Sequence, residues 1–285
     1  MAASTHQLAG LALPVLVSIP HAGRDLPAWV AADARVPEAQ LRRLSDPWCD
    51  LIAAPLLAAG ARVVKANMVR AVVDCNRHEG DMDPVDVAAV LRPQFAPPGR
   101  KARAGLGVVP TRLPGCGRLW RSPITSDDFL RRIEGFHRPY HQQMADACDA
   151  LMAAHGRLLL IDLHSMPSLP RPAGVAGAPV IVIGNRHGRS ADQQLTANFV
   201  QSAVQQGFAT ALNHPYPGGF IAERYGRPHL GVHAVQIEFD RTLYLDAEGQ
   251  PDADHAFRLG EWLRDTALHS LTMLGARDDW PLAAE

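Results

Sequence analysis

The chain has 285 residues, 47% of them hydrophobic and 20% charged, with a formal net charge of −1. This is a globular composition long enough to bury its own core. It excludes a strongly basic nucleic-acid surface and a membrane span of about 18 apolar residues, and Cys49, Cys75, Cys116 and Cys148 lack Cys-x-x-Cys spacing. The thiols are therefore expected to be reduced, in a cytoplasmic protein with no signal peptide.

Strand and helix patterns alternate along the chain. An apolar run over 13–19 predicts a strand that ends in Pro20-His21-Ala22-Gly23. Helix-spaced apolar residues over 38–59 stop at Gly60. Short strands are expected at Arg62–Ala66 and 71–74. Residues 80–122 are rich in Pro and Gly and read as an insertion, with closure over a site as one expected role. A long helix is predicted over 126–155, with Ser126 and Asp127 as caps and Gly156 as its stop. Strands at 157–163 and 179–183, a helix at 191–206, a second Gly/Pro-rich loop at 213–228, a strand at 235–239 and a helix at 254–274 complete the pattern. Strands separated by helices predict an α/β fold with a mixed, mostly parallel sheet sandwiched by helices. With no repeat, linker or low-complexity segment, one domain over 1–285 is expected.

Three of the apolar runs deliver a chemically active side chain at their C-terminal ends: His21, His164 in Asp162-Leu163-His164-Ser165, and Glu238 in Val235-Gln236-Ile237-Glu238. Open α/β sheets bind ligands at the carboxyl ends of their strands. Two imidazoles and a carboxylate there are what a hydrolytic zinc site needs. Asp162 precedes His164 by two residues, on the same side of a strand, and is placed to orient that imidazole. A third ligand is sought among Asp25, Asp46 and Asp50. Glu238, desolvated by apolar neighbours, fits a general base. Arg70 and the run Asp74-Cys75-Asn76-Arg77 form a further constellation. Its amide and guanidinium fork suit a substrate carboxylate.

These segments, with Ser18-Ile19-Pro20-His21-Ala22-Gly23, Gly218-Gly219-Phe220-Ile221, Tyr225-Gly226-Arg227-Pro228 and Gly231-Val232-His233-Ala234-Val235, resemble the N-formylglutamate amidohydrolases, in the same order from about residue 15 to 246. That family lies in the zinc carboxypeptidase-like, aspartoacylase-like (phosphorylase/hydrolase-like) fold group. The resemblance implies one zinc ion held by His21 and His164, a carboxylate-binding Asn76–Arg77 pair, Arg70 as the group polarising the scissile carbonyl, and Glu238 as the catalytic acid–base. Where related enzymes have His-x-x-Glu, this chain has Arg24 in the Glu position. The likeness of Asp46-Pro47-Trp48 to the family's Asp-Trp segment makes Asp46 the expected third ligand.

The implied reaction is hydrolysis of N-formyl-L-glutamate to formate and L-glutamate, the last step of one route of histidine degradation. The partner is then a small dicarboxylate N-acyl amino acid, not nucleic acid or membrane. Arg77 is expected to hold one carboxylate and Arg224, beside Tyr225, the other. Two rival readings are a zinc amidase or peptidase acting on another N-acyl compound, and a binding protein of the same fold without turnover.

Overall fold

The computed structural model describes residues 2–6, 13–171 and 177–273. Its strands are β1 (Ala3–His6), β2 (Val15–Ile19), β3 (Arg62–Ala66), β4 (Arg112–Leu113), β5 (Gly117–Arg118), β6 (Leu158–Met166), β7 (Ile181–Gly184), β8 (Thr210–Leu212) and β9 (Val232–Asp240). Among the described residues, seven form one mixed, mostly parallel sheet in the order β1-β3-β2-β6-β9-β7-β8. β6 runs parallel to both β2 and β9, and β7 runs antiparallel to β9. All nine residues of β6 are buried, so the strand reads as a continuous apolar run broken only by Asp162, His164 and Ser165. β4 and β5 form a separate two-stranded ladder.

The α-helices of the described residues are α1 (Ala28–Asp33), α2 (Glu38–Arg42), α3 (Ala54–Ala58), α4 (Arg100–Arg103), α5 (Ser126–Arg132), α6 (Arg138–His155), α7 (Gln193–Gln205), α8 (Phe220–Tyr225) and α9 (Ala253–Met273). The chain groups into two compact units, one containing Pro20–Pro47 and Val64–Ala145, the other containing β2, Trp48–Val63 and the described residues from Asp146 onward.

Several expected elements differ. The helix expected over 38–59 is broken: α2 ends at Arg42, and a 3-10 turn over Cys49–Ala53 precedes α3. Pro47 removes an N–H and disfavours helical geometry at Asp46, and Trp48 turns the chain at a left-handed φ of 60°. The strand expected at 71–74 is a series of turns, with the Val72 N–H donating to Val69 O and the Asp74 N–H to Val108 O. The loop expected over 213–228 contains α8. The last expected helical residue, 274, lies outside the described residues. The helix expected over 126–155 is capped one residue earlier, by the Thr125 hydroxyl accepting from the Asp128 N–H, and carries a π turn over Ile133–His137.

That helix grips the turns after β3 by side chains. Arg132, fully buried, donates from Nη1 to the carbonyls of Ala71 and Val72 and from Nε to Asp128. Its guanidinium lies 4.5 Å from the centre of the Trp120 ring. Nε2 of His137 bonds the Arg77 carbonyl at 2.8 Å, and Nε2 of His141 bonds that of Cys75 at 2.9 Å. A segment without strand pairing thus satisfies its buried carbonyls through one helix. Replacing Arg132 by Leu strands two carbonyls and Asp128. We expect a loss of about 3 kcal/mol of unfolding free energy, read by urea denaturation. A change under about 0.5 kcal/mol, the size of an ordinary surface substitution, would contradict the grip.

Candidate metal centre and active site

The loop after β2 carries His21, and the break at Pro47 carries Asp46. The Asp46 N–H donates to the His21 carbonyl, and Oδ2 of Asp46 lies 3.4 Å from Nδ1 of His21. Nε2 of His21 is 2.7 Å from Oδ1 of Asp74, which also accepts the Asn76 N–H at 2.8 Å. The other Asp74 oxygen accepts from Nε of Arg70 at 2.8 Å, with an η nitrogen at 2.7 Å. Burial opposes the Asp74 charge. The Arg70 guanidinium, then His21 and Arg77, outweigh it and hold the carboxyl well below the usual range. With Nε2 of His21 facing Asp74, Nδ1 is the ring nitrogen on the Asp46 side.

His164 and Glu238 are placed by strand register. They are Cα partners across β6 and β9, on one face of the sheet. One row earlier, Ser18, Asp162, Gln236 and Gly184 line up across β2, β6, β9 and β7. Ser18 donates to Oδ1 of Asp162, and Oδ2 of Asp162 lies 3.1 Å from Nε2 of His164, the orienting contact read from the sequence. Nε2 of Gln236 donates to Glu238 at 3.0 Å, and its Oε1 accepts the Gly219 N–H at 2.8 Å.

His21, Asp46 and His164 are buried, and each offers a ligand atom within 4.8 Å of the other two. These three residues could hold a metal ion. Two imidazoles and a carboxylate are the donor set of a catalytic zinc site with a position left for water or substrate. The facing of an imidazole nitrogen and a carboxylate oxygen at 3.4 Å fits a cation in that place. Asp25 is exposed and Asp50 is half-buried in the 3-10 turn; neither joins this group. Arg24 is exposed.

Arg77 is buried and directs Nε to the Leu106 carbonyl and an η nitrogen to the Asn76 carbonyl. Arg224 is exposed on α8, its guanidinium 5.8 and 5.6 Å from the ring centres of Phe220 and Tyr225. The 80–122 segment folds as short helical turns and the β4–β5 ladder. It is bonded to the Asp74–Arg77 segment through Val108 and Leu106. The sequence reading passed over the part Asp74 plays. Its signal is the apolar run Ala71-Val72-Val73 ending in an acid, the same pattern that marks His164. It also passed over Gln236, one alternation step before Glu238.

A family model described as N-formylglutamate amidohydrolase matches residues 13–245. The chain belongs to that family. An N-formylglutamate deformylase of Pseudomonas aeruginosa is 30% identical over 244 residues, 83% of this chain and 84% of that protein. One from Pseudomonas putida is 29% identical over 237 residues, 82% of each chain. Among solved structures, N-formylglutamate amidohydrolase from Ralstonia eutropha JMP134 superimposes with a TM-score of 0.85 at 26% identity, covering 96% of this chain and 98% of that one. The gene product Atu2144 of Agrobacterium tumefaciens, at 16% identity and TM-score 0.72, shares the fold. The resemblance read from the motifs is thus borne out, and so is the fold class it implied.

Metal analysis tests the centre in this amidohydrolase. His21→Ala and His164→Ala are expected to emerge from zinc loading and dialysis without bound metal. Asp74→Asn, which removes the charge that pairs both His21 and Arg70, is expected to weaken metal affinity about 10–100-fold. Full occupancy in either His variant would refute the centre.

Proposed function

We propose that this protein is a zinc-dependent N-formylglutamate deformylase that releases formate and L-glutamate, serving the end of a histidine-degradation route in the cytoplasm. Family membership over most of the chain is the observation that carries the reaction, and the convergence of His21, Asp46 and His164 supports the metal. Four free cysteines support a reducing compartment, and no described helix is long and apolar enough to cross a membrane.

The two imidazoles and Asp46 would hold a zinc ion, which when bound would supply Lewis acidity and lower the pKa of water. Glu238 accepts the proton of the attacking water and returns it to the leaving nitrogen as the C–N bond breaks. Gln236 keeps that carboxylate aimed by donating to it. Arg70, held along one edge by Asp74, donates to the formyl oxygen as charge develops there. Asn76 and Arg77 bind one substrate carboxylate. The formyl group is too small to be gripped, so selection falls on the glutamyl carboxylates. Arg224 and Tyr225 are the sequence-derived candidates for the second of them.

L-glutamate release from N-formyl-, N-acetyl- and N-succinyl-glutamate by the zinc-loaded protein tests the reaction. We expect the formyl compound to be turned over and the others to be far poorer. Turnover of the acetyl or succinyl compound in its place would favour the broader amidase. Glu238→Gln should keep fold and metal and lose about 10²–10⁴ in kcat; an unchanged kcat would remove it from proton transfer. Arg77→Ala should lower kcat/KM for N-formylglutamate by about two orders of magnitude, measured in the same assay.

A further inference from the structure

Arg186 already holds a carboxylate. Its two η nitrogens each lie 3.1 Å from a different oxygen of Glu223, the two-point geometry by which arginine recognises carboxylates. The pair is lopsided, since the Arg186 side chain is 21% exposed and that of Glu223 58%. An ion pair so open to water adds little to stability. Yet the chain holds Arg186 in an unfavourable backbone, with φ of 53° there and 57° at His187. Such strain persists only where the surroundings enforce it, and it gathers at functional sites.

The surroundings here are specific. Asn185 and Asn213 interlock: the Asn185 N–H donates to Oδ1 of Asn213, and Nδ2 of Asn213 donates to Oδ1 of Asn185. The Arg186 N–H donates to the Pro217 carbonyl. Gly218, at φ 118°, lies beside the Arg186 stem, where a Cβ would come 3.0 Å from Cγ. The next residue, Gly219, donates its N–H to Gln236, which in turn holds Glu238. Gly184, two residues before Arg186, faces Gln236 in the β7–β9 register, and a Cβ there would strike the backbone of residues 216–218. The loops that shape Arg186 therefore end on the hydrogen-bond partner of the proposed proton acceptor.

We propose that Arg186 binds the side-chain carboxylate of the N-formylglutamate substrate, and that Glu223 holds its place until substrate arrives. The assignment rests on the deformylase reading above. Glu223 carries a carboxylate on the same two-methylene arm as the substrate. Exchange therefore replaces one carboxylate by another and leaves the guanidinium paired throughout. Arg224, on the same short helix as Glu223, is engaged with ring faces.

The test compares N-formylglutamate with N-formylglutamine in the zinc-loaded wild type and in R186Q, R186K, E223Q and R224Q, with L-glutamate binding followed by calorimetry. R186Q should raise KM for the charged substrate by about tenfold or more with a far smaller change in kcat. It should leave the neutral substrate near its wild-type KM and lose measurable L-glutamate binding. R186K should recover part of the preference. E223Q, with the resident carboxylate gone, should lower KM and tighten L-glutamate binding. A preference retained in R186Q, an equal loss on both substrates, or a collapse seen in R224Q in its place would overturn the assignment. If the wild type releases no formate, the deformylase reading is what fails. Binding then decides the matter: L-glutamate lost with Arg186 supports the assignment, and L-glutamate bound equally by R186Q, or by no variant, overturns it.

Discussion

The buried carboxylate of Asp74 is the interaction on which the rest of the site depends. It meets four demands at once: the ring of His21, the N–H of Asn76, and two nitrogens of Arg70. A buried charge persists only when it is paired and fully hydrogen-bonded, and Asp74 is both. Its position is consequently fixed from several directions, and so is the ring that leans on it. The segment carrying it has no strand pairing of its own. Its geometry is imposed by Arg132, His137 and His141 from the helix and by Val108 and Leu106 from the long insertion.

His164 and Glu238 are fixed by a different means. Neighbouring parallel strands in register put them side by side, and the row beneath them is polar from Ser18 to Gln236. That row is a polar layer next to rows that are apolar across β2 and β6, from Val15, Leu16 and Val17 to Leu159, Leu160 and Ile161. Ser18 steadies Asp162 and the loop at Gly219 steadies Gln236, so both residues facing the chemistry have a fixed partner behind them. Two local solutions thus serve one site: register where the chain is strand, and side-chain anchoring where it is not.

The elements set by long apolar runs were legible in the sequence. β2, β6 and β9 lie where the pattern puts them, and β6 and β9 run two residues past His164 and Glu238, to Met166 and Asp240. The 38–59 region was misread because its apolar spacing continues through Pro47, and helical periodicity takes no account of one backbone position that cannot comply. That misreading bears on chemistry, since the break is what buries Asp46 beside His21. Residues 71–74 look like a strand because they are buried and β-branched. Their carbonyls are bonded by distant side chains, which no local pattern records. The Arg186–Glu223 pair joins the turn after β7 to the short helix α8, 37 residues apart, and that left-handed turn carries no glycine at Arg186 or His187 to announce it.

The π turn at Ile133–His137 takes up one residue more than a regular helix would need. In a regular α-helix, residues five apart point about 140° away from each other. Arg132 and His137 are five apart, yet both reach the same turns of chain. The wider π turn accounts for that alignment. Gly135 lies exposed at its middle, and a Cβ there would meet nothing within 4 Å. The identity of that residue is therefore free to drift, and so is its presence: deleting it would leave a regular helix in which Arg132 and His137, then four apart, stand about 40° from each other and still face the turns they hold.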